Sequence, residues 1–321
     1  MILLPPCRRK VRLCSVVLVL LLFLVLPEYA AHASSGHYLN GLAGLKAATI
    51  PPPGSYWGFQ SWYYSAGKVK NQGKTMDVNY SVDVFMFAPT FVHSSDFRIF
   101  GGRYAFAVLI PIVHTNFSVS KTFDIPLPNH LGVRNISVSR SGSKTGLSDV
   151  CITPLMLTWE KERYDITTGL DIFIPTGEYS SSNPASPGRG FWTMAPKLGA
   201  TLYLDAEKTW TVSALAHYEF HTRQQGTNQT PGNHLHLEWG VGKTFAQIFK
   251  AGIVGYNSWQ VTRDSGPGSR GRMTTANAIG TEAGVFIPGL NMDVTMRFFW
   301  EYKNRNNAQG KTATLSVMFP F

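Results

Sequence analysis

Two short runs of the sequence set ionisable side chains two residues apart. His217, Glu219 and His221 alternate with apolar neighbours, and so do His234, His236 and Glu238. On an extended backbone successive side chains point to opposite faces, so each trio shares one face of a strand. Imidazole and carboxylate groups in that arrangement can hydrogen-bond the hydroxyl or carboxylate of a passing solute. They serve equally as a hydrogen-bonded network filling a protein interior, and both readings stand on the sequence alone. Pairing His221 with His234 would set Glu219 opposite His236 and His217 opposite Glu238. A slip of two residues would re-pair all of them. A third run, Asp293, Arg297, Glu301 and Lys303, places both charge signs along one strand face. Such a face either sets up a transverse field that orients polar solutes or neutralises itself.

Other chemistries find little support. No G-x-S-x-G elbow is present, and Cys151 has no evident activating neighbour, so no catalytic residue is assigned. Four imidazoles invite a metal, but no H-E-x-x-H or comparable spacing occurs, and neither a metal nor a cofactor is expected.

The elements that must hold these residues are strands. Twelve strand-like runs follow Gly54, the first from Ser55 to Gly67 and the last from Lys311 to Phe321. The seventh, Thr209 to His221, the eighth, Asn233 to Lys243, the eleventh, Met292 to Lys303, and the twelfth alternate most cleanly. Together their apolar faces, Trp210 to Phe220, Leu235 to Val241, Met292 to Tyr302 and Ala313 to Phe321, hold no charge. The histidines and carboxylates of the seventh, eighth and eleventh, with Arg297 and Lys303, fall on the second face. A Lys or Arg on a lipid-facing position costs about 2–4 kcal/mol at mid-bilayer, whereas a lumen-facing charge avoids most of that. The runs are roughly 11–14 residues, longer than the usual strand of about 5–6 and enough for a tilted span of about 9–11. Short connections at 160–162, 205–208, 244–248 and 289–291 alternate with longer polar ones at 118–147, 176–190, 222–232 and 263–274. That alternation suits tight periplasmic turns and longer external loops. The stretch 88–102 breaks the pattern, being long on the short side. The fourth and ninth runs are poorly phased. In the closing run Ala313, Leu315, Val317 and Phe319 should meet lipid, while Thr312, Thr314 and Ser316 face the lumen. Its terminal Phe321 is the expected assembly signal.

Composition agrees. Of 321 residues, 15% are charged, against roughly 25% in a typical soluble domain, and 13% are aromatic. Residues 1–33 read as a signal peptide, with Arg8, Arg9, Lys10 and Arg12 before the apolar run Leu13 to Leu26 and a small-x-small site at Ala31-His-Ala33. That run is too short for the roughly 20 residues of a transmembrane helix. Cys7 and Cys14 leave with the leader, so no intrachain disulfide is available to Cys151. The expected organisation is a signal peptide at 1–33, an extended N-terminal periplasmic segment at 34–54, and at 55–321 an all-β, transmembrane antiparallel up-and-down β-barrel of about 12 strands in the bacterial outer membrane. The formal charge of +10 scatters over connections (Lys121, Arg134, Arg140, Lys144, Arg223, Arg263, Arg270 and Arg272). This points to lipopolysaccharide or anionic solutes as partners, not nucleic acid.

The stretch from Gly146-Leu-Ser-Asp149 to Trp159, the run Leu170-Asp-Ile-Phe-Ile-Pro-Thr-Gly-Glu-Tyr179, and the pieces Gly190-Phe-Trp192, Tyr203-Leu-Asp205, Thr230-Pro-Gly232 and Glu238-Trp-Gly240 carry a family likeness. The chain resembles the outer-membrane transporter family named for the meta pathway of phenol degradation, over most of its length from Gly36. Ser148 departs from the Gly-Leu-Gly-Asp run that members favour. The resemblance implies a β-barrel associated with uptake of aromatic compounds. The function expected is a passive outer-membrane channel for small molecules, aromatic or hydrophobic compounds foremost, with the membrane lipid, lipopolysaccharide, the barrel-assembly machinery and a small-molecule solute as partners. A structural or surface-interaction barrel is the alternative, and a barrel hydrolase the third.

Overall fold

The computed structural model of the chain describes residues 36–126, 133–269 and 271–321. The leader expected at 1–33 lies outside the described residues, as do Arg270 and the side chain of Arg134.

Among the described residues twelve strands form one antiparallel sheet, apart from a short pair at Lys70–Asn71 and Lys74–Thr75. β1 is Gly54–Ala66 and β2 is Asn79–Ile99. β3 runs through Gly102–Leu109 and Ile112–Pro126, and β4 through Val133–Leu147 and Val150–Glu160, each with a two-residue interruption. β5 is Tyr164–Ile174, β6 Thr193–Tyr203, β7 Trp210–His221, β8 His234–Phe245, β9 Phe249–Gln260, β10 Thr275–Ile287, β11 Met292–Glu301 and β12 Lys311–Pro320. Sequence neighbours pair throughout, and β1 pairs with both β2 and β12, so the sheet closes on itself. Closure pairs the barrel wall on both sides, the condition for a sheet to sit in lipid. The Val133–Leu147 part of β4 pairs on one side only, with Ile112–Pro126. Across the seam Trp57 lies opposite Phe319, Phe59 opposite Val317 and Tyr63 opposite Ala313. The Phe321 N–H donates to the Ser55 carbonyl at 2.8 Å.

The strands sort their faces. In β7, Thr211, Ser213, Leu215, His217 and Glu219 are buried, while Trp210, Ala214 and Phe220 are exposed. In β12, Thr312 and Thr314 are buried and Leu315 is exposed, as the alternation predicts. Leu198, Leu202, Ile253, Ile279 and Met296 are all exposed on the outside. A soluble monomer rarely carries so continuous an apolar exterior, and lipid is the solvent that suits it.

Several expectations change. The stretch 88–102 is not a loop, because β2 runs on to Ile99 and turns through Phe100 and Gly101, both at positive φ. All connections on that side are therefore short. Of the expected loop 118–147, residues 118–126 and 133–147 are strand. β3 and β4 continue as a paired hairpin from Ile112↔Leu147 to Pro126↔Val133. β3 is interrupted at Pro111, which has no N–H for the ladder, although its carbonyl accepts from Ser148 at 2.8 Å.

The interior has two sectors. In β2 the apolar set points inward: Tyr80, Val82, Met86 and Ala88 join Trp62, Tyr64, Phe117 and Val119 in one buried cluster. From β5 round to β11 many inward positions are polar or charged, among them Asp165, Asp171, His217, Glu219, His236, Glu238 and Glu282, with a second buried apolar cluster of Val254, Tyr256, Ala276, Ala278 and Phe299 around Leu45. In β2 the outward face changes along the strand, from Asn79, Ser81 and Asp83 to Phe85 and Phe87, while the inward face stays apolar.

Candidate functional site

The described residues after the leader, expected as an extended periplasmic segment at 34–54 that could also plug the barrel, lie within it. From Gly36 to about Ile50 the chain threads the lumen, from the long-loop end to the short-turn end, where it enters β1. It has no strand partner, so its backbone groups need other hydrogen bonds, and inward carboxylates supply them. Glu219 Oε1 accepts the N–H of His37 and of Tyr38, both at 2.8 Å. Glu238 accepts the N–H of Gly41 at 2.9 Å and of Ala43 at 2.8 Å, with the Tyr38 hydroxyl at 2.8 Å. Glu282 accepts the N–H of Leu45 at 2.9 Å. Three carboxylates from β7, β8 and β10 thus form a ladder of acceptors. A hydrogen bond to a charged group is worth about 1.5–3 kcal/mol, so the segment is firmly held.

The carbonyls are met in turn. Trp62 Nε1 donates to Asn40 O at 2.9 Å, Ser213 Oγ to Gly44 O at 2.9 Å and Thr167 Oγ1 to Ala48 O at 2.6 Å. Close approach needs glycine at two places. Gly41 sits at φ +92°, a left-handed position that suits it. A Cβ on Gly240 of β8 would lie 3.0 Å from the Gly44 backbone. The segment's apolar side chains, Leu39 and Leu42, turn to the apolar sector.

The histidines and glutamates singled out by spacing do come together, in a register two residues from the trial pairing. Glu219 lies opposite His234, and His217 opposite His236. Contacts then form on the diagonal: His236 Nε2 to Glu219 Oε2 at 2.8 Å, and His221 Nε2 to His234 Nδ1 at 3.3 Å. Tyr38 stacks on His217 with ring centroids 4.1 Å apart. These groups are occupied by the chain's own segment and each other.

The charges of β11 are met one by one. Arg297 Nε donates to Glu282 at 2.7 Å, and Lys250 donates to Asp293 at 2.9 Å. Glu301 accepts from Tyr64 at 2.9 Å and Tyr256 at 3.0 Å. Lys303 does not line the lumen. β11 ends at Glu301, and Lys303 is exposed in the following turn at φ 50°.

Beside the segment lies a cavity of about 300 Å³. One wall is apolar, with Val84 and Met86 of β2 and Leu109 and Val113 of β3. Facing them are Leu39 and Leu42 of the segment and a polar group of Asp149, Asp171, Arg189 and Lys197. Lys197 Nζ donates to Asp171 Oδ1 at 2.7 Å, and Thr153 donates to the same oxygen at 2.6 Å. Asp149 accepts the N–H of Gly177 at 2.9 Å and of Arg189 at 2.7 Å, and its Oδ2 meets His37 Nε2 at 2.8 Å. One side chain thereby fastens the 175–192 loop and the lumen segment together. Burial pulls the Arg189 guanidinium below its ordinary value, while Asp149 and Glu219 hold it up.

Spacing did not single out Asp149, Asp171, Lys197 or Glu282 as site residues. All but Asp149 sit in phase on polar strand faces. Asp149 sits in the interruption of β4, where no alternation marks it.

A family model described as "Putative MetA-pathway of phenol degradation" matches residues 66–317. No curated protein matches the chain. Among solved structures, the COG4313 outer membrane channel from Pseudomonas putida F1 is similar with a TM-score of 0.66 at 11% identity, covering 89% of this chain and 100% of that one. The β domain of the Bordetella autotransporter BrkA follows at 0.49 and 12% identity, covering 84% of this chain and 100% of that one. At 11% identity the likeness to the channel shows the barrel fold alone.

Proposed function

Because the chain belongs to the family of the MetA-pathway of phenol degradation, we propose that it is an outer-membrane channel admitting small amphipathic molecules, aromatic and hydrophobic compounds foremost, past a fixed lumen segment. The observation that carries this reading is the two-sided cavity of about 300 Å³. Small-molecule sites run from about 300 to 1,000 Å³ and combine apolar walls with a few placed polar groups. A ring would lie against Val84, Met86 and Leu109, its carboxylate accepting from Lys197 or its hydroxyl donating to Asp171. A purely polar solute would have to cross the apolar wall unsatisfied. The apolar exterior supports placement in a membrane, and the outer membrane follows from the barrel architecture.

Cavity filling tests it. Leu109→Trp and Val113→Phe narrow the space without touching the carboxylates. In liposomes, passage of a small aromatic acid should fall several-fold while that of a small polyol changes less. Unchanged passage of the aromatic acid through both variants would overturn the assignment of the cavity to the path.

A further inference from the structure

We propose that Glu219, His221 and His234 form a site for a divalent cation of the zinc class at the long-loop end of the lumen. One ligand atom from each lies within 4.8 Å of the others. The sharper observation is the facing pair, His221 Nε2 and His234 Nδ1, 3.3 Å apart. Two ligands at about 2.0–2.1 Å from a tetrahedral centre stand roughly 3.3–3.4 Å from each other. The two imidazoles are already at that separation.

The surroundings orient the ligands as metal sites require. His221 Nδ1 bonds Thr193 Oγ1 at 2.7 Å, and the same hydroxyl meets His37 Nδ1 at 2.7 Å. With Nδ1 carrying the proton toward Thr193, the His221 Nε2 lone pair points at His234. Glu219 is set by His236 Nε2 on one oxygen and by two backbone N–H groups on the other. Two imidazoles and a carboxylate leave a fourth position open to water, a donor set that suits zinc and copper better than calcium or magnesium. Without metal, one proton lies between the two facing nitrogens. A cation takes its place while His234 exchanges its proton through solvent from Nδ1 to Nε2, so the ring stays neutral and no net proton is released. Charge also permits it. Glu219 and Asp149 bring two negative charges against the one positive charge of Arg189, and neutral histidines add none. His221 is half-buried and gives the ion its way in from the 222–233 loop.

The site bears on the segment. Glu219 Oε1 holds the His37 and Tyr38 N–H groups, so a bound cation would tie the β7–β8 hairpin to the top of the threaded chain. The strand spacing hid this, because its ligands come from two strands joined by a long loop. The inference does not depend on solute passage.

The test is direct binding. Untagged full-length protein in detergent micelles is stripped with chelator and dialysed against zinc sulfate, and metal content is measured per chain. One equivalent is expected for the wild type. Less than about a tenth of that is expected for His221→Ala/His234→Ala that still migrates as a folded, heat-modifiable barrel. His93→Ala, on the outer face of β2, should bind as the wild type does. Should the double variant misfold, His221→Asn and His234→Gln singly should each lower affinity at least ten-fold. Cobalt(II) should give the intense visible absorption of a tetrahedral site. No saturable zinc binding by the wild type, or equal binding by the folded variants, would overturn the site.

Discussion

Glu238 accepts two backbone N–H groups and one hydroxyl from the threaded segment. Removing it strands all three, and each buried orphan costs about 1–3 kcal/mol. Glu238→Ala should therefore loosen the segment: limited proteolysis of the folded barrel should cut within residues 36–50 at least several-fold faster than in the wild type, and Glu238→Gln should fall between. Equal rates would mean that the carboxylate ladder does not hold the chain. The alternation showed that Glu219 and Glu238 face inward. It did not show what they hold, because the partners lie some 180 to 200 residues away in a stretch with no period of its own. Nor was the β7–β8 register legible. A long loop imposes no turn geometry, so the tight β8–β9 turn with Phe245 opposite Phe249 and barrel closure set it instead.

At the scale of elements, β7, β8, β11 and β12 were legible because one of their faces meets lipid and the other a polar lumen. The runs of β2 and β3 alternate as well, but in β2 the apolar face of Tyr80, Val82 and Met86 turns inward, so the period located the strand and not its lumen face. β4 was poorly phased, and Pro111 interrupts β3. The lumen segment is the element that sequence periodicity could not place. It fits because β8 withdraws its side chain at Gly240, where the nearest atoms to a Cβ would be the backbone of Gly44 and Leu45 at 3.0–3.1 Å. Gly240→Val should therefore displace the segment but spare the sheet. Conductance in planar bilayers should rise while thermal unfolding of the barrel shifts by only a few degrees; unchanged conductance would contradict the close fit. At the other seam, Phe321 adds one backbone bond to Ser55, and its ring is exposed. Its deletion should change folded-state stability little yet reduce assembly in the outer membrane of cells. Normal assembly without it would remove the signal role.

For the whole molecule, all short turns and the C-terminus lie at one end and the long connections at the other, once β2 is seen to reach Ile99. After Cys151→Ser, a cysteine at Thr227 should react with an impermeant maleimide on whole cells, and one at Glu207 should not. The reverse pattern would invert the barrel in the membrane. The central claim is that the lumen is a path narrowed by the chain's own N-terminal segment. Solute uptake into liposomes by the wild type and by a folded form lacking residues 36–50 tests it most directly. Slow passage of small amphipathic solutes by the wild type, and faster passage of those and of larger solutes by the deletion, is the predicted result. A folded deletion form that passes no solute at all would contradict the account.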